Sequence, residues 1–149
     1  MKVKCYTDIV RDYAEVIWNK HQVHRLPEFV RPDVRLCGLG GEPPIIGVEK
    51  LMEETSRWLG LYSNVRMKIL RTVADANRVA WQWELNGTIA HSRLFSPHMR
   101  TIIKEIPRTQ DVLVYGISIS TFEDGLIAEE VTQSDVAGFL SQLGYPPKD

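Results

Sequence analysis

The residues best suited to acid–base chemistry lie in the last third of the chain, on two predicted strands joined by an Asp124-Gly125 turn. Ser118 and Ser120 alternate with apolar residues before this turn, and Glu130 and Thr132 follow it. Polar residues on a strand that is otherwise apolar line either a wet interface or a pocket. In a pocket, the carboxylate could move a proton while the hydroxyls hydrogen-bond a carbonyl or alkoxide oxygen.

The composition excludes several classes of partner. The chain has 149 residues, 44% of them hydrophobic and 25% charged, with a formal net charge of -1. This size suits a single domain over residues 1–149. The nearly balanced charge gives no reason to expect nucleic acid or an anionic membrane. Because no segment is apolar enough to span a bilayer or to act as a secretory signal, we expect a cytoplasmic protein.

Cofactor and metal motifs are not found in the sequence. Cys5 and Cys37 lie in unrelated contexts, which argues against a disulfide framework or a four-ligand metal site. The segment Gly38-Leu-Gly-Gly41 follows only a short predicted strand and does not open a helix, so it is not a dinucleotide fingerprint. We therefore expect no metal and no cofactor.

The hydrophobic spacing predicts the elements that position these residues. Helical periods indicate helices from Asp8 to Lys20, from Leu26 to Val30 and from Gly47 to Gly60. Alternation indicates strands at 34–36, 65–70, 79–86, 111–122 and 126–134, followed by a short helix that Asp135 caps. Helices that precede a meander of antiparallel strands predict an α+β domain with the helices on one side of a curved sheet.

Several short segments, in this order and over nearly the whole chain, resemble the SnoaL-like polyketide cyclases. These belong to the nuclear transport factor 2-like superfamily, with ketosteroid isomerase and limonene epoxide hydrolase. The resemblance implies a cone-shaped, strongly curved antiparallel sheet, N-terminal helices packed over a central pocket, and homodimers through the outer sheet face. The matching segments are Tyr13-Ala-Glu-Val-Ile-Trp-Asn-Lys-His21, Phe29-Val-Arg-Pro-Asp-Val34, Pro43-Pro-Ile-Ile-Gly47, Asn77-Arg-Val-Ala80, Gly116-Ile-Ser-Ile-Ser-Thr-Phe-Glu-Asp-Gly-Leu-Ile127 and Gln142-Leu-Gly144.

The catalytic groups of those relatives are replaced here. The aspartate and histidine of the cyclases correspond to Thr132 and Ser118, which do not titrate near neutral pH. In the Asp-Arg-Asp relay of the epoxide hydrolases, the arginine corresponds to Trp83, the first aspartate to Leu85 and the second aspartate to Thr132. The resemblance therefore favours a ring closure driven by cavity shape, or an isomerisation, over the aldol step of the family.

Strand alternation extends the pocket implied by the resemblance to further residues. If Thr132 faces it, Glu130 does too, and a carboxylate opposite tryptophans has its pKa raised by desolvation. Glu130 is therefore the candidate acid/base; the alternative is an exposed side chain or an ion pair with Arg71. The other residues predicted on this side are Ser134, Ser118, Ser120, Trp81, Trp83 and Leu85. The two tryptophans could equally be core residues.

Three residues complete the candidate site. Tyr13 faces inward on the first helix and either hydrogen-bonds a ligand or packs in the core. Cys37 ends the first strand, where relatives carry a polar pocket residue, and a structural thiol is the alternative. His91 lies two residues past Ile89 near the expected mouth, where it either transfers protons or points to solvent. The remaining histidines, His21, His24 and His98, are predicted at the surface.

These inferences favour a cofactor-independent cyclase or isomerase that acts on a hydrophobic, oxygenated intermediate, polyketide- or terpenoid-like, in secondary metabolism. A non-catalytic ligand-binding or dimerisation module of the same fold is the first alternative. A dehydratase or hydrolase that uses His91 with Glu130 is the second.

Overall fold

The N-terminal layer is built from three helical segments of different type. The computed structural model describes residues 4–38, 42–89, 95, 97–104, 106 and 109–146. Helix α1 (Tyr6–Tyr13) continues directly into a π-helix (Ala14–Asn19), so the predicted helix from Asp8 to Lys20 changes its hydrogen-bond register halfway. A 3-10 helix (Val23–Glu28) follows, and the helix predicted from Leu26 to Val30 is wrong in its bounds because Val30 already begins a strand.

The remaining elements form one sheet with helices packed against it. In chain order they are β1 (Val30–Cys37), β2 (Ile45–Ile46), α2 (Val48–Leu61), β3 (Tyr62–Asp75), β4 (Arg78–Ile89), α3 (Pro97–Ile102), β5 (Gln110–Glu123), β6 (Leu126–Ser134) and α4 (Val136–Gln142). The strand order is β2-β1-β6-β5-β4-β3, and the sheet is curled without closing. The α+β class is confirmed.

One strand pair departs from the antiparallel prediction. β1 pairs with β6 in parallel, while the other neighbouring strands are antiparallel. The parallel pairing follows from the long connection between these two strands, because it lets the chain cross over instead of turning back. Through it, Leu36 lies opposite Glu130.

The hairpin between β5 and β6 fixes the register of the candidate site. Asp124 and Gly125 both have positive φ, 51° and 80°, as the tight hairpin turn predicted from their sequence requires. This register places Ser120 opposite Glu130 and Ser118 opposite Thr132.

The core lies between the helices and the inner sheet face. Val10, Ile17 and Leu26 from the helices are fully buried there with Val79 and Ile127 from the sheet. Asp135 accepts a hydrogen bond from the Gly138 backbone at 2.9 Å, which confirms it as the N-cap of α4. In the part of the chain that the structure describes, no helix is long and apolar enough to cross a membrane.

Candidate active site

A cavity of about 190 Å³ lies between the helices and the inner face of the sheet. All four tryptophans of the chain line it, two from the sheet and two from the helices. Trp81 and Trp83 are buried, whereas Trp18 and Trp58 are half-buried and stack on each other with ring centroids 6.2 Å apart. The half-buried pair marks the side on which the cavity approaches solvent.

Two chains of hydrogen bonds converge on the Glu130 carboxylate at the buried side of this cavity. In the first, Trp81 Nε1 donates to Ser120 Oγ at 3.1 Å, and Ser120 Oγ donates to Glu130 Oε2 at 3.5 Å. In the second, Trp83 Nε1 donates to Ser118 Oγ at 3.0 Å, Ser118 lies 2.9 Å from Thr132 Oγ1, and Thr132 Oγ1 donates to Glu130 Oε1 at 3.1 Å. Each carboxylate oxygen of Glu130 therefore accepts a hydrogen bond from a different hydroxyl group.

In both series of hydrogen bonds, the groups at the two ends determine which atom donates and which accepts. An indole N–H can only donate, and an ionised carboxylate can only accept. Because Thr132 has a single hydroxyl hydrogen and gives it to Glu130, Ser118 must donate to Thr132. Every hydroxyl in the network is thus oriented toward the carboxylate, which stabilises its ionised form.

Burial acts against that stabilisation. Glu130 is 6% exposed, and desolvation raises its pKa to about 7, while the hydroxyls of Thr132, Ser120 and Ser118 act in the lowering direction. In the described part of the chain, no cation forms an ion pair with this carboxylate. Glu130 therefore exchanges a proton in the neutral pH range, as a general acid/base must.

Tyr13 adds a second ionisable group to the cavity wall. It is 3% exposed, and its ring meets Trp81 edge-on at 6.2 Å. Burial, reinforced by the negative charge of Glu130, raises the pKa of its phenol well above the ordinary value. The phenol therefore keeps its proton and remains a hydrogen-bond donor.

The sequence matches one known protein family over most of its length. Residues 7–143 match the sequence profile of the SnoaL-like polyketide cyclases. The chain belongs to the SnoaL-like polyketide cyclase family. This membership supports a general cyclase role. None of the curated proteins is significantly similar to this SnoaL-like chain in sequence.

Solved structures share the SnoaL-like fold at low sequence identity. TsrD from Streptomyces laurentii is 18% identical, with a TM-score of 0.74 over 97% of this chain and 99% of its own. IdmH from Streptomyces antibioticus, assigned as a polyketide cyclase, is 22% identical, with a TM-score of 0.73 over 93% and 97%. A protein with a ketosteroid isomerase-like fold from Catenulispora acidiphila, in complex with trimethylamine, is 17% identical, with a TM-score of 0.72 over 93% of both chains.

Most of the residues that the sequence singled out lie together in this SnoaL-like chain. Tyr13, Trp81, Trp83, Leu85, Ser118, Glu130, Thr132 and Ser134 line the cavity. Ser120 is fully buried behind the cavity wall, where its hydroxyl is hydrogen-bonded to the lining residues Glu130 and Trp81. The alternative positions for Glu130, exposed or paired with Arg71, are not adopted, because Glu130 is buried and Arg71 is exposed.

Two predicted site residues are not part of the described cavity. Cys37 is half-buried on the other face of β1, where Arg35 Nε donates to its Sγ at 3.3 Å, and Leu36 takes the lining position. Strand alternation explains this correction, since Val34 and Leu36 both point inward. His91 lies outside the described residues, and so does the side chain of His98; His21 and His24 are exposed.

The helix-borne tryptophans were missed by sequence reasoning, and the π-helix explains why for Trp18. Trp18 lies five positions after Tyr13, a spacing that a 3.6-residue period places on different faces. With i→i+5 hydrogen bonds, seen from Lys20 N to Glu15 O at 2.9 Å, both side chains reach the cavity. Asn19 holds this segment against β3, accepting from Met67 N at 2.7 Å and donating to Met67 O at 3.0 Å.

Gly116 makes room for one indole of the network. A Cβ atom at this position would overlap the six-membered ring of Trp83, which lies directly across from it on β4. The absence of a side chain there lets the indole lie flat along β5 and reach Ser118. A glycine in the interior of a strand, between Tyr115 and Ile117, was the sequence signal for this close approach.

Proposed function

We propose that this protein is a cofactor-independent cyclase or isomerase of secondary metabolism, acting on a hydrophobic, oxygenated intermediate that is polyketide- or terpenoid-like. The observation that carries the proposal is the Glu130 carboxylate, buried in an aromatic cavity with a pKa of about 7. A base with this pKa is matched to proton transfer at neutral pH. Family membership supports the cyclase class, while the choice between ring closure and isomerisation belongs to the proposal.

The proposed reaction is a proton cycle through Glu130. The carboxylate removes a proton from a carbon beside a carbonyl group, and the electron pair of that C–H bond moves onto the carbonyl oxygen as an enolate. In an isomerisation, Glu130 returns the proton to a different carbon of the same molecule. In a ring closure, the cavity walls hold the enolate carbon against the far carbon of a conjugated C=C–C=O group. The new C–C bond forms as the electron pair of that double bond moves toward its carbonyl oxygen, and Glu130 returns the proton to the resulting enolate. Both routes leave the protein in its starting state.

Hydroxyl donors support the proposed oxyanion. Tyr13 lines the cavity and keeps its proton, so it can donate to the enolate oxygen. Thr132 also lines the cavity, and its hydroxyl is released from Glu130 once the carboxylate has taken up a proton. The aromatic walls hold the substrate in a reactive conformer and exclude water.

Proton transfer can be tested without the natural substrate by using 2-tetralone, a hydrophobic ketone with exchangeable α-protons. In D₂O, proton NMR follows the loss of these signals. We expect the protein to accelerate the exchange and Glu130→Gln to remove about 10²- to 10⁴-fold of that acceleration. Glu129→Gln is the matched control, because Glu129 is the exposed neighbour on the same strand. Equal rates for wild type and Glu130→Gln contradict the proposal.

A second candidate is a non-catalytic ligand-binding module of the same fold. It is supported by Ser118 and Thr132, hydroxyl residues at the positions of the family's histidine and aspartate. Saturable binding of 2-tetralone without accelerated exchange would favour this candidate.

A further inference from the structure

The described part of the cavity wall carries negative charge and no positively charged side chain. Among the described lining residues, none is Lys, Arg or His, and the buried carboxylate is that of Glu130. Hydroxyl groups satisfy the hydrogen-bonding capacity of Glu130 but bring no positive charge. A buried carboxylate with no counter-ion among the described residues is costly, so a cation that enters this cavity is favoured by the charge of Glu130.

The rest of the wall suits a cation that is organic and weakly hydrated. The four tryptophans lie beside Tyr13, Tyr62, Phe95 and Phe139, so eight aromatic side chains surround the space in front of Glu130. The faces of aromatic rings carry partial negative charge and attract ammonium groups within about 6 Å of the ring centre, tryptophan most strongly. Hydrated metal ions gain little from such a wall, because the described residues hold no cluster of three or more His, Cys, Asp or Glu side chains that could bind one.

From these two features we infer that the cavity selects an organic ammonium group on an apolar skeleton, held between the Glu130 carboxylate and the aromatic faces. Ligands that carry a carboxylate or phosphate are disfavoured by the same charges. The inference deepens the proposed function and rests on its assumption that the cavity is the substrate site. It narrows the hydrophobic, oxygenated substrate to one that also bears a basic nitrogen.

The test compares choline with 3,3-dimethylbutan-1-ol, two probes of nearly the same shape in which a quaternary nitrogen replaces a quaternary carbon. The charge of both probes is independent of pH. Because all four tryptophans line the cavity, quenching of intrinsic fluorescence reports binding, and calorimetry gives the stoichiometry. We expect choline to bind at least about tenfold more tightly than the alcohol.

Substitutions then locate the source of the preference. Glu130→Gln should bring the affinity for choline to within about threefold of that for the alcohol, and leave the alcohol's own affinity nearly unchanged. Glu129→Gln removes an equal charge from the exposed neighbouring position and should keep the preference. Circular dichroism checks that both variants fold, and the wild-type comparison decides the question even if one does not.

Several results would overturn the inference. These are equal or tighter binding of the neutral alcohol, no saturable binding of either probe, or a preference that survives Glu130→Gln or disappears equally in Glu129→Gln. The outcome is separate from that of the exchange assay. Ammonium selectivity without proton exchange would retract only the enzymatic role, and exchange without ammonium selectivity would retract only this inference.

Discussion

The two faces of strand β5 reverse the usual distribution of polar and apolar residues. On the inner face, Ser118 and Ser120 are 1% and 0% exposed. On the outer face of the same strand, Tyr115, Ile117 and Ile119 are 45%, 51% and 42% exposed. A strand whose only task was to close a core would place these residues the other way round. We propose that each face of β5 contacts another molecule.

The side chains on the inner face are held by hydrogen bonds, whereas those on the outer face are apolar and exposed to solvent. On the inner face, two series of hydrogen bonds begin at the indoles of Trp81 and Trp83 and orient every hydroxyl toward Glu130. Only the protonation state of Glu130 can then change. On the outer face, the apolar side chains form a row that water contacts, which is typical of a surface that associates. The role of the inner face depends on the exact positions of its hydrogen-bonding groups, whereas association through the outer face would depend only on its apolar area. Substitutions on each face should therefore produce effects of different kind and size.

The largest difference expected concerns stability as a function of pH. The pKa of Glu130 is about 7 in the folded chain and 4.5 in the unfolded one, so below 4.5 both states are protonated and the buried acid costs nothing. Between pH 4.5 and 7 this carboxyl ionises in the unfolded chain but stays protonated in the folded one. Over this range wild type therefore loses about 3 kcal/mol of unfolding free energy relative to Glu130→Gln, and the loss is complete above pH 7. Urea unfolding of both proteins near pH 4 and near pH 8 measures this.

The outer-side control for that experiment is Glu129→Gln. Because Glu129 is exposed, replacing its carboxylate should change the unfolding free energy by no more than about 0.5 kcal/mol. A Glu130→Gln variant that tracks wild type at both pH values would show that the carboxylate does not titrate near neutrality.

Packing on the inner face gives the next effect in size. Gly116→Ala forces Trp83 away from β5 and breaks its hydrogen bond to Ser118, which should cost about 1–3 kcal/mol of unfolding free energy. Gln133→Ala, on the exposed side of β6, should change stability by no more than about 0.5 kcal/mol. Denaturant unfolding distinguishes the two, and a neutral Gly116→Ala would mean that the indole has room to move.

A smaller effect is expected from removing one hydroxyl of the network. Thr132→Val preserves the side-chain shape but deletes the donor to Glu130 Oε1, so the pKa of Glu130 should rise further, by about one unit. An NMR titration of the Glu130 side-chain carboxyl carbon measures the shift. Thr121→Val, which changes a half-buried threonine opposite Glu129, is the control and should leave this pKa unchanged.

The sequence predicted the hairpin that carries this site better than the helices that cover it. The Asp124-Gly125 turn fixes the register, and the period of two then assigns faces, so Ser118, Glu130 and Thr132 could be placed on one side. Strand β1 shows the limit, because Cys37 was placed in the pocket from the resemblance, whereas the alternation of the longer strand places it on the other face. Where boundaries shift, assignments of single residues shift with them.

The helical side depended on tertiary contacts that no local pattern reveals. The π-helix is held by two hydrogen bonds between Asn19 and the backbone of Met67, 48 positions away. That register shift brings Trp18 to the cavity, and Trp58 arrives from α2 by packing against it. Trp18 was therefore unpredictable from hydrophobic spacing alone, since the spacing assumes an α-helix throughout. Trp58 was overlooked for no such reason, because it lies seven positions after Leu51 on α2, on the face that a 3.6-residue period predicts.

The smallest effect on stability, and the most informative about the outer face, is expected from Ile117→Lys. We propose that the row of Tyr115, Ile117 and Ile119 is covered by a second copy of this chain, as the family resemblance implies. A lysine at the centre of the row would then dissociate the dimer in sedimentation experiments, while the unfolding free energy of the separated chain changes by about 0.5 kcal/mol or less. Ile46→Lys tests specificity, because Ile46 is 61% exposed but lies on β2, at the far edge of the sheet. If wild type already sediments as a monomer, the outer face needs another partner, and the contrast with the inner face would rest on the cavity alone.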